Sequence, residues 1–307
     1  MLAGNQLERL PDELADCSRL ELLRIAANRF AHLPDWLFTL PRLAWLAYSG
    51  NPCSDASEAA AMSGKRIAHV EWHALELQHK LGEGASGVIY RAHHQAANAP
   101  VAVKMFKGAL TSDGLPRSEK AACIAAGPHP GLIPVIGKIS AHPEETPGLV
   151  MSLIDPGFCS LAGPPSLKSC TRDIYPAELR FTLTTALNIA LGIASVAEHL
   201  HARGIMHGDL YAHNILWSPQ GDCLLGDFGA ASFLPQQNAK QANALQRIEV
   251  RAYACLLEEL LDRCDSRPEA VATIAAMKDL QRRCDNAEVS ERPLFAEIVR
   301  ELAGLAA

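Results

Sequence analysis

Three glycines, a lysine, two aspartates and an asparagine stand at spacings suited to holding a phosphate chain. Leu77 to Val88 reads LQHKLGEGASGV, so Gly82, Gly84 and Gly87 form a GxGxxGxV run closed by Val88. A turn free of side chains lets backbone N–H groups approach phosphate oxygens. GxGxxG alone also fits a dinucleotide fingerprint, which wants a helix after the third glycine. Here the chain continues VIYRA, whose β-branched and aromatic residues favour a strand. Val101 to Lys104 reads VAVK, a strand that ends on a cation. Farther on come His207-Gly208-Asp209-Leu210-Tyr211-Ala212-His213-Asn214 and Asp227-Phe228-Gly229. Asp209 and Asn214 are five residues apart, and Asp227 lies 18 beyond Asp209. Carboxylate and amide oxygens suit a hard divalent cation, and a lysine neutralises phosphate charge.

Several elements must hold these groups. Glu119 lies 15 residues after Lys104, at the start of the helical stretch SEKAACIAA, and is the best-placed ion-pair partner for that lysine. Glu144 and Glu145 sit instead in a proline-flanked loop. Leu149 to Leu153 (LVMSL) reads as a buried strand leading into Asp155-Pro156-Gly157. Leu179 to His201 reads as a long apolar-periodic helix running into the His207 loop.

Ahead of this lies a repeat. Asn5, Asn28 and Asn51 are spaced 23 residues apart, each followed by apolar residues or proline. Leu20, Leu23, Ile25, Phe30 and Leu33 surround Asn28, and Leu43, Leu46 and Tyr48 precede Asn51. The pattern LxxLxLxxNxL at this period resembles a leucine-rich repeat, in which the LxL stretch is a short strand and the Asn bonds the backbone at the turn. Two repeats and a fraction are fewer than the about three such a stack needs. Either the region behind them acts as the cap, or the chain starts downstream of the protein's true beginning.

With these motifs in this order, residues 73–307 resemble a protein kinase catalytic domain, and the whole chain resembles the leucine-rich-repeat protein kinases. The resemblance implies an α+β fold. A two-lobed kinase-like domain, with a β-rich N-lobe (73–152) and an α-helical C-lobe (153–307), follows a short leucine-rich-repeat α/β solenoid (1–56) and a linker (57–72). It implies ATP and Mg²⁺ as cofactors. Gly82, Glu83, Gly84, Gly87, Val88 and Ala102 would contact the nucleotide, and Lys104, paired with Glu119, would hold its α- and β-phosphates. Met151 falls at the gatekeeper position, with the backbone of Ser152 and Leu153 facing the adenine edge. Asp209 would orient the attacking hydroxyl and accept its proton, while Asn214 and Asp227 would hold Mg²⁺. The acceptor would be a protein hydroxyl, serine or threonine being the commoner choice in the family. The repeats would serve as a surface for a protein partner.

Some positions depart from the family pattern. The Arg of HRD is Gly208, the stretch from Gly229 to Glu249 is short, and Ser232 is its only hydroxyl. Activity independent of phosphorylation there is the expectation. No APE motif precedes Glu249, so Arg292 in ERPLFAEIVREL needs another partner and the peptide platform lacks its anchor. Tyr211 replaces the loop lysine of serine/threonine kinases, and His213 sits where tyrosine kinases often place an Arg. Ile248 to Leu261 resembles the buried kinase helix, with Glu249 in place of its aspartate. His207 is expected to pack on Phe228, with Cys123 and Val135 continuing the stack. His93 and His94 read as a solvated turn. His199 and His201 find no third ligand at a useful spacing for a metal.

Composition narrows the field. The 307 residues carry 28 Lys and Arg against 34 Asp and Glu, a net charge of −6 that makes no case for nucleic-acid binding. Hydrophobic residues make up 49% of the chain, enough for a full core. No uninterrupted apolar run approaches the about 18 residues of a membrane span, and MLAGNQLERLP lacks the basic-then-apolar pattern of a secretion signal. Nine scattered cysteines without a CxxC pair argue for a reducing, cytoplasmic setting. Two other functions stay open. The missing APE suits a small-molecule phosphotransferase of the aminoglycoside- or choline-kinase kind. A pseudokinase scaffold is opposed by the presence of Lys104, Asp209, Asn214 and Asp227 together.

Overall fold

The computed structural model describes residues 1–108, 110–265 and 270–306. The 23-residue period at the N-terminus becomes a stack of turns. Single-turn 3₁₀ helices at Asp12–Asp16 and Asp35–Thr39 alternate with short strands β1 (Leu22–Arg24) and β2 (Trp45–Ala47). The strands pair in parallel, with Arg24 beside Ala47. The asparagines link successive turns. Asn28 Oδ1 accepts from Asn5 N and Leu7 N, and Asn51 Oδ1 accepts from Phe30 N. Their amide nitrogens donate to carbonyls of the preceding turn, including Leu2 O and Ile25 O. Each buried amide is thereby satisfied, which such groups require.

The segment expected as a connector is largely structured. Helix α1 (Pro52–Met62) starts at a proline, which suits the first helical position, and Asn51 N donates to Ser54 Oγ at 3.2 Å. Its alanines favour helix strongly. Glu58 accepts from Ser118 Oγ at 2.9 Å, tying α1 to the next helix. Strand β3 (Ala68–Glu71) also falls within the expected linker, and joins the main sheet by parallel pairing with β7 (below).

That sheet has the order β3-β7-β8-β6-β5-β4. It comprises β4 (Leu75–Glu83), β5 (Gly87–His94), β6 (Ala99–Phe106), β7 (Val135–Ser140) and β8 (Gly148–Ser152), antiparallel apart from the β3 pairing. His93 and His94 are strand residues paired with Pro100 and Ala99, so the expected turn lies beyond them. Helix α2 (Pro116–Ala126) packs below the sheet and ends at Gly127.

The second lobe is helical. Short strand β9 (Cys159–Ser160) precedes α3 (Leu183–Ala202), which starts four residues later than the periodicity predicts because Thr182 caps it, accepting from Thr185 N at 3.1 Å. By length and composition α3 could cross a membrane, yet it forms the core of the lobe, where Tyr253 donates to its Ala190 carbonyl. After it come β10 (Ile205–Met206), β11 (Ile215–Trp217), β12 (Cys223–Leu225) and β13 (Ser232–Phe233). Helices α4 (Ala239–Asp262), α5 (Val271–Cys284) and α6 (Phe295–Ala306) complete it.

The apolar core of the N-terminal segment does not end at that segment. Leu23, Ile25, Phe30, Leu43 and Leu46 share one buried cluster with Met206, Leu234, Leu245 and Ile248 of the helical lobe.

Candidate active site

The β4–β5 hairpin carries Gly82, Glu83, Gly84 and Gly87, and Val88 follows on β5. Gly84 N donates to Gly87 O at 2.9 Å, closing the turn. A Cβ on Gly87 would stand 2.5 Å from Met105 O, so the close approach of β5 to β6 admits only glycine. Glu83 pairs with Lys80 and Lys107 rather than with anything deeper in the cleft.

Ala102 and Lys104 lie on β6, where Ala102 stands opposite Met151. Lys104 Nζ forms an ion pair with Glu119 of α2, the side chains being 12% and 2% exposed. Burial works against the lysine's charge, but the carboxylates of Glu119 and Asp227 outweigh it and raise its pKa above the usual value. Lys104, Glu119, Met151, Asp227 and Phe228 line one cavity between the lobes, with Cys123 at its back. Ser152 and Leu153 follow Met151. The Ser152 amide donates to Pro134 O at 2.9 Å and so is already engaged within the protein.

The loop 207–214 joins β10 to β11. Glu249, fully buried on α4, holds its start: Oε1 accepts from Gly208 N at 2.6 Å, and Oε2 accepts from His207 N at 3.2 Å and His201 Nε2 at 2.7 Å. Burial pushes the Glu249 carboxyl up, but His201 and these donors bring it net below the ordinary carboxylate range. Asp173 holds the other end, accepting from Ala212 N at 2.6 Å and His213 Nδ1 at 2.7 Å. Between these anchors, Asn214 Nδ2 donates to Asp209 O and Oδ2, both at 2.9 Å. His207 packs on Phe228 with ring centroids 5.2 Å apart and bonds Gly226 O at 2.8 Å. Asp227 is exposed, in a left-handed conformation (φ 50°) that its side chain stabilises by accepting from Gly229 N at 3.1 Å.

The N-terminal segment completes this surface. Arg24, 2% exposed, reaches across it: Nη1 donates to Gly208 O at 2.8 Å, Nε pairs with Asp113 at 3.0 Å, and Nη2 pairs with Asp209. Trp45 stacks on Tyr211 and donates to Leu210 O at 3.0 Å. Tyr48 N donates to Ser232 Oγ, and Tyr48 OH donates to Phe233 O. Arg292, unmatched in the sequence, gives its donors to three carbonyls, Asn286 O, Arg247 O and Pro41 O, the last from the N-terminal segment. Burial, with Arg251 nearby, pulls its pKa down to about 10.

Of the residues named from the sequence, Lys104, Glu119, Met151 and Asp227 line one cavity, Asn214 and Asp209 bond each other on the 207–214 loop, and Glu83 pairs with Lys80 and Lys107. Arg24, Asp113, Asp173 and Trp45 were missed. They lie outside every phosphate-associated motif, and no local spacing marks them. Among the described residues, His199 and His201 join no metal-binding group; they bond Ala126 O and Glu249 instead.

A profile of the protein tyrosine and serine/threonine kinase family matches residues 75–264. The chain belongs to that family. The serine/threonine-protein kinase PknD of Chlamydia trachomatis serovar L2b is 32% identical over 168 residues, covering 52% of this chain and 17% of that protein. The serine/threonine-protein kinase-transforming protein mos of Moloney murine sarcoma virus is 27% identical over 180 residues, covering 57% and 47%. The serine/threonine-protein kinase pakH of Dictyostelium discoideum is 28% identical over 158 residues, covering 51% and 28%. The match thus takes in 17% of the PknD chain and less than half of the other two.

Proposed function

We propose that the protein is a protein kinase that transfers the γ-phosphoryl group of ATP to a serine or threonine hydroxyl of a protein. The observation that carries this is the convergence of the Lys104–Glu119 ion pair with Asp227 around one cavity, beside an Asp209 fixed by Asn214. In this reading residues 73–307 are the kinase domain, of which 109, 266–269 and 307 lie outside the described residues. Residues 1–56 are leucine-rich repeats, whose outward residues remain for a protein partner.

Asn214 and Asp227 fit a divalent cation. The Asn214 amide nitrogen is tied to Asp209, and no hydrogen bond among the described residues engages its Oδ1. Asp227 adds an exposed carboxylate, and oxygen donors are what Mg²⁺ takes. Bound there, Mg²⁺ would neutralise charge on the transferred phosphoryl group. Lys104, held protonated by its carboxylate neighbours, steadies the α- and β-phosphates. Backbone N–H groups of the Gly82–Gly87 turn cover them. Asp209 accepts a hydrogen bond from the acceptor hydroxyl and takes its proton as the new P–O bond forms and the bond from the γ-phosphorus to the β–γ bridging oxygen breaks, releasing ADP. Little covalent chemistry is asked of the protein, so positioning supplies most of the rate.

One observation favours a second reading. Only the stretch from Phe228 to Asn238 separates Asp227 from α4, so the peptide platform of the family is short, as suits a small hydroxylated acceptor. Incubation with radiolabelled ATP, Mg²⁺ and either a generic protein acceptor or a panel of small hydroxylated compounds separates the two. Label on serine or threonine of protein supports the kinase; label on a small acceptor alone overturns it.

A further inference from the structure

The strand face of the N-terminal segment, which would otherwise be free for a partner, is spent on the chain's own loop 207–214. Arg24 is its sharpest contact. Its guanidinium sits between Asp209, Asp113 and the Gly208 carbonyl, and the cleft's own loop has a tyrosine, Tyr211, where a lysine was expected. We propose that Arg24 is a positioning residue of the phosphoryl-transfer site, supplied by the N-terminal segment. The proposal rests on the kinase reading above.

Arg24 fixes the carboxylate without covering it. Arg24 takes Oδ1 of Asp209 and Asn214 takes Oδ2, which sets the plane of the group. Each carboxylate oxygen can accept more than one hydrogen bond, so capacity remains for an acceptor hydroxyl. The Asp209 side chain keeps 17% of its surface open, where a blocking plug would bury it. Nor is Arg24 on a releasable arm. It belongs to β1, whose neighbours Leu23 and Ile25 share a buried cluster with Leu245 and Ile248 of α4. Burial opposes its charge, but Asp209 and Asp113 more than offset this and keep it protonated.

The Gly208 geometry keeps a cation off position 208 itself. Gly208 has φ +74°, and a Cβ there would stand 2.6 Å from both Leu46 O and Ala230 O. Strand β2, the partner of the strand that carries Arg24, and the Ala230 carbonyl leave no room for a side chain at position 208.

The test compares the full chain with Arg24→Lys, Arg24→Gln and Arg24→Ala. Readouts are kcat, the KM for ATP and the rise in melting temperature on adding Mg-ADP. Gln keeps a hydrogen-bond donor without charge, and Lys keeps charge without the planar fork. The expected result is a fall in kcat of about 100-fold for Gln and Ala, the scale of a lost positioning contact, and a smaller fall for Lys. KM for ATP and the Mg-ADP shift should stay near wild type, which a general loss of structure would not allow. If Ala fails to fold, the Gln and Lys pair carries the comparison. Unchanged kcat in both would overturn the proposal. A rise in kcat would also overturn it and make Arg24 an inhibitory contact. A wild-type chain that binds Mg-ATP yet transfers nothing would defeat the kinase reading, a separate failure.

Discussion

The indole of Trp45 lies flat on the phenol ring of Tyr211, centroids 4.2 Å apart and planes within 6° of parallel. One ring belongs to β2 of the N-terminal segment, the other to the loop that carries Asp209. The stack is buried, and the Trp45 N–H is satisfied by Leu210 O. The segment is therefore built into the helical lobe as part of its core.

Trp45→Ala should destabilise the chain by about 3–5 kcal/mol, the range for truncating a buried large aromatic. Chemical denaturation followed by far-UV and near-UV signals should show one coincident, earlier transition. Two separated transitions would mean that the segment and the lobe fold independently.

Gly208→Ala should be destabilising although it adds one methyl group. The left-handed backbone costs about 1–3 kcal/mol for a residue with a side chain, and the methyl would meet two carbonyl oxygens at 2.6 Å. Gly208→Arg, which restores the family pattern, should be worse. A melting temperature at or above wild type for either variant would contradict this placement of β2.

Glu259 gives a pH signature. Burial pushes its carboxyl up to about 7, with Arg172 at 3.0 Å and the Tyr175 hydroxyl at 3.0 Å offsetting part of that cost. A carboxyl that holds its proton more tightly when folded contributes stability that is full below the ordinary carboxylate range and is lost as pH rises through about 7. Glu259→Gln removes this dependence. Its melting temperature should gain on wild type between pH 5 and pH 8, a window set by that linkage. A gap that does not widen with pH would refute the assignment.

Ser232 is fully buried, and its hydroxyl oxygen accepts from Tyr48 N at 3.0 Å. Phosphatase treatment, checked by intact mass, should therefore leave transfer activity unchanged. Lost activity accompanied by a lost phosphate would overturn this.

Much of the cleft was legible because its groups sit on short motifs whose local geometry is self-contained. Gly82 to Gly87 demands a turn, VAVK demands a strand, and Asn214 reaches Asp209 across a few residues. Glu249 was readable as a buried helical carboxylate, but its bonds to Gly208 N and His207 N were not, because they span some 40 positions. Arg24 and Asp209 are separated by 185 positions, and nothing local about an Arg in a short strand announces such a pairing. The α1 helix was missed for a different reason. Its alanines and serines lack an apolar stripe, so periodicity was silent while helix propensity was not.

Phosphoryl transfer with Asp209 as the proton acceptor tests the account most directly. The wild-type chain and Asp209→Asn should bind Mg-ATP alike, since Lys104, Asn214 and Asp227 remain in both. The account predicts that wild type labels a protein acceptor from radiolabelled ATP and that the variant's kcat falls by about 100-fold or more, the scale of a lost general base. Equal labelling by the two proteins, with binding intact, would contradict it.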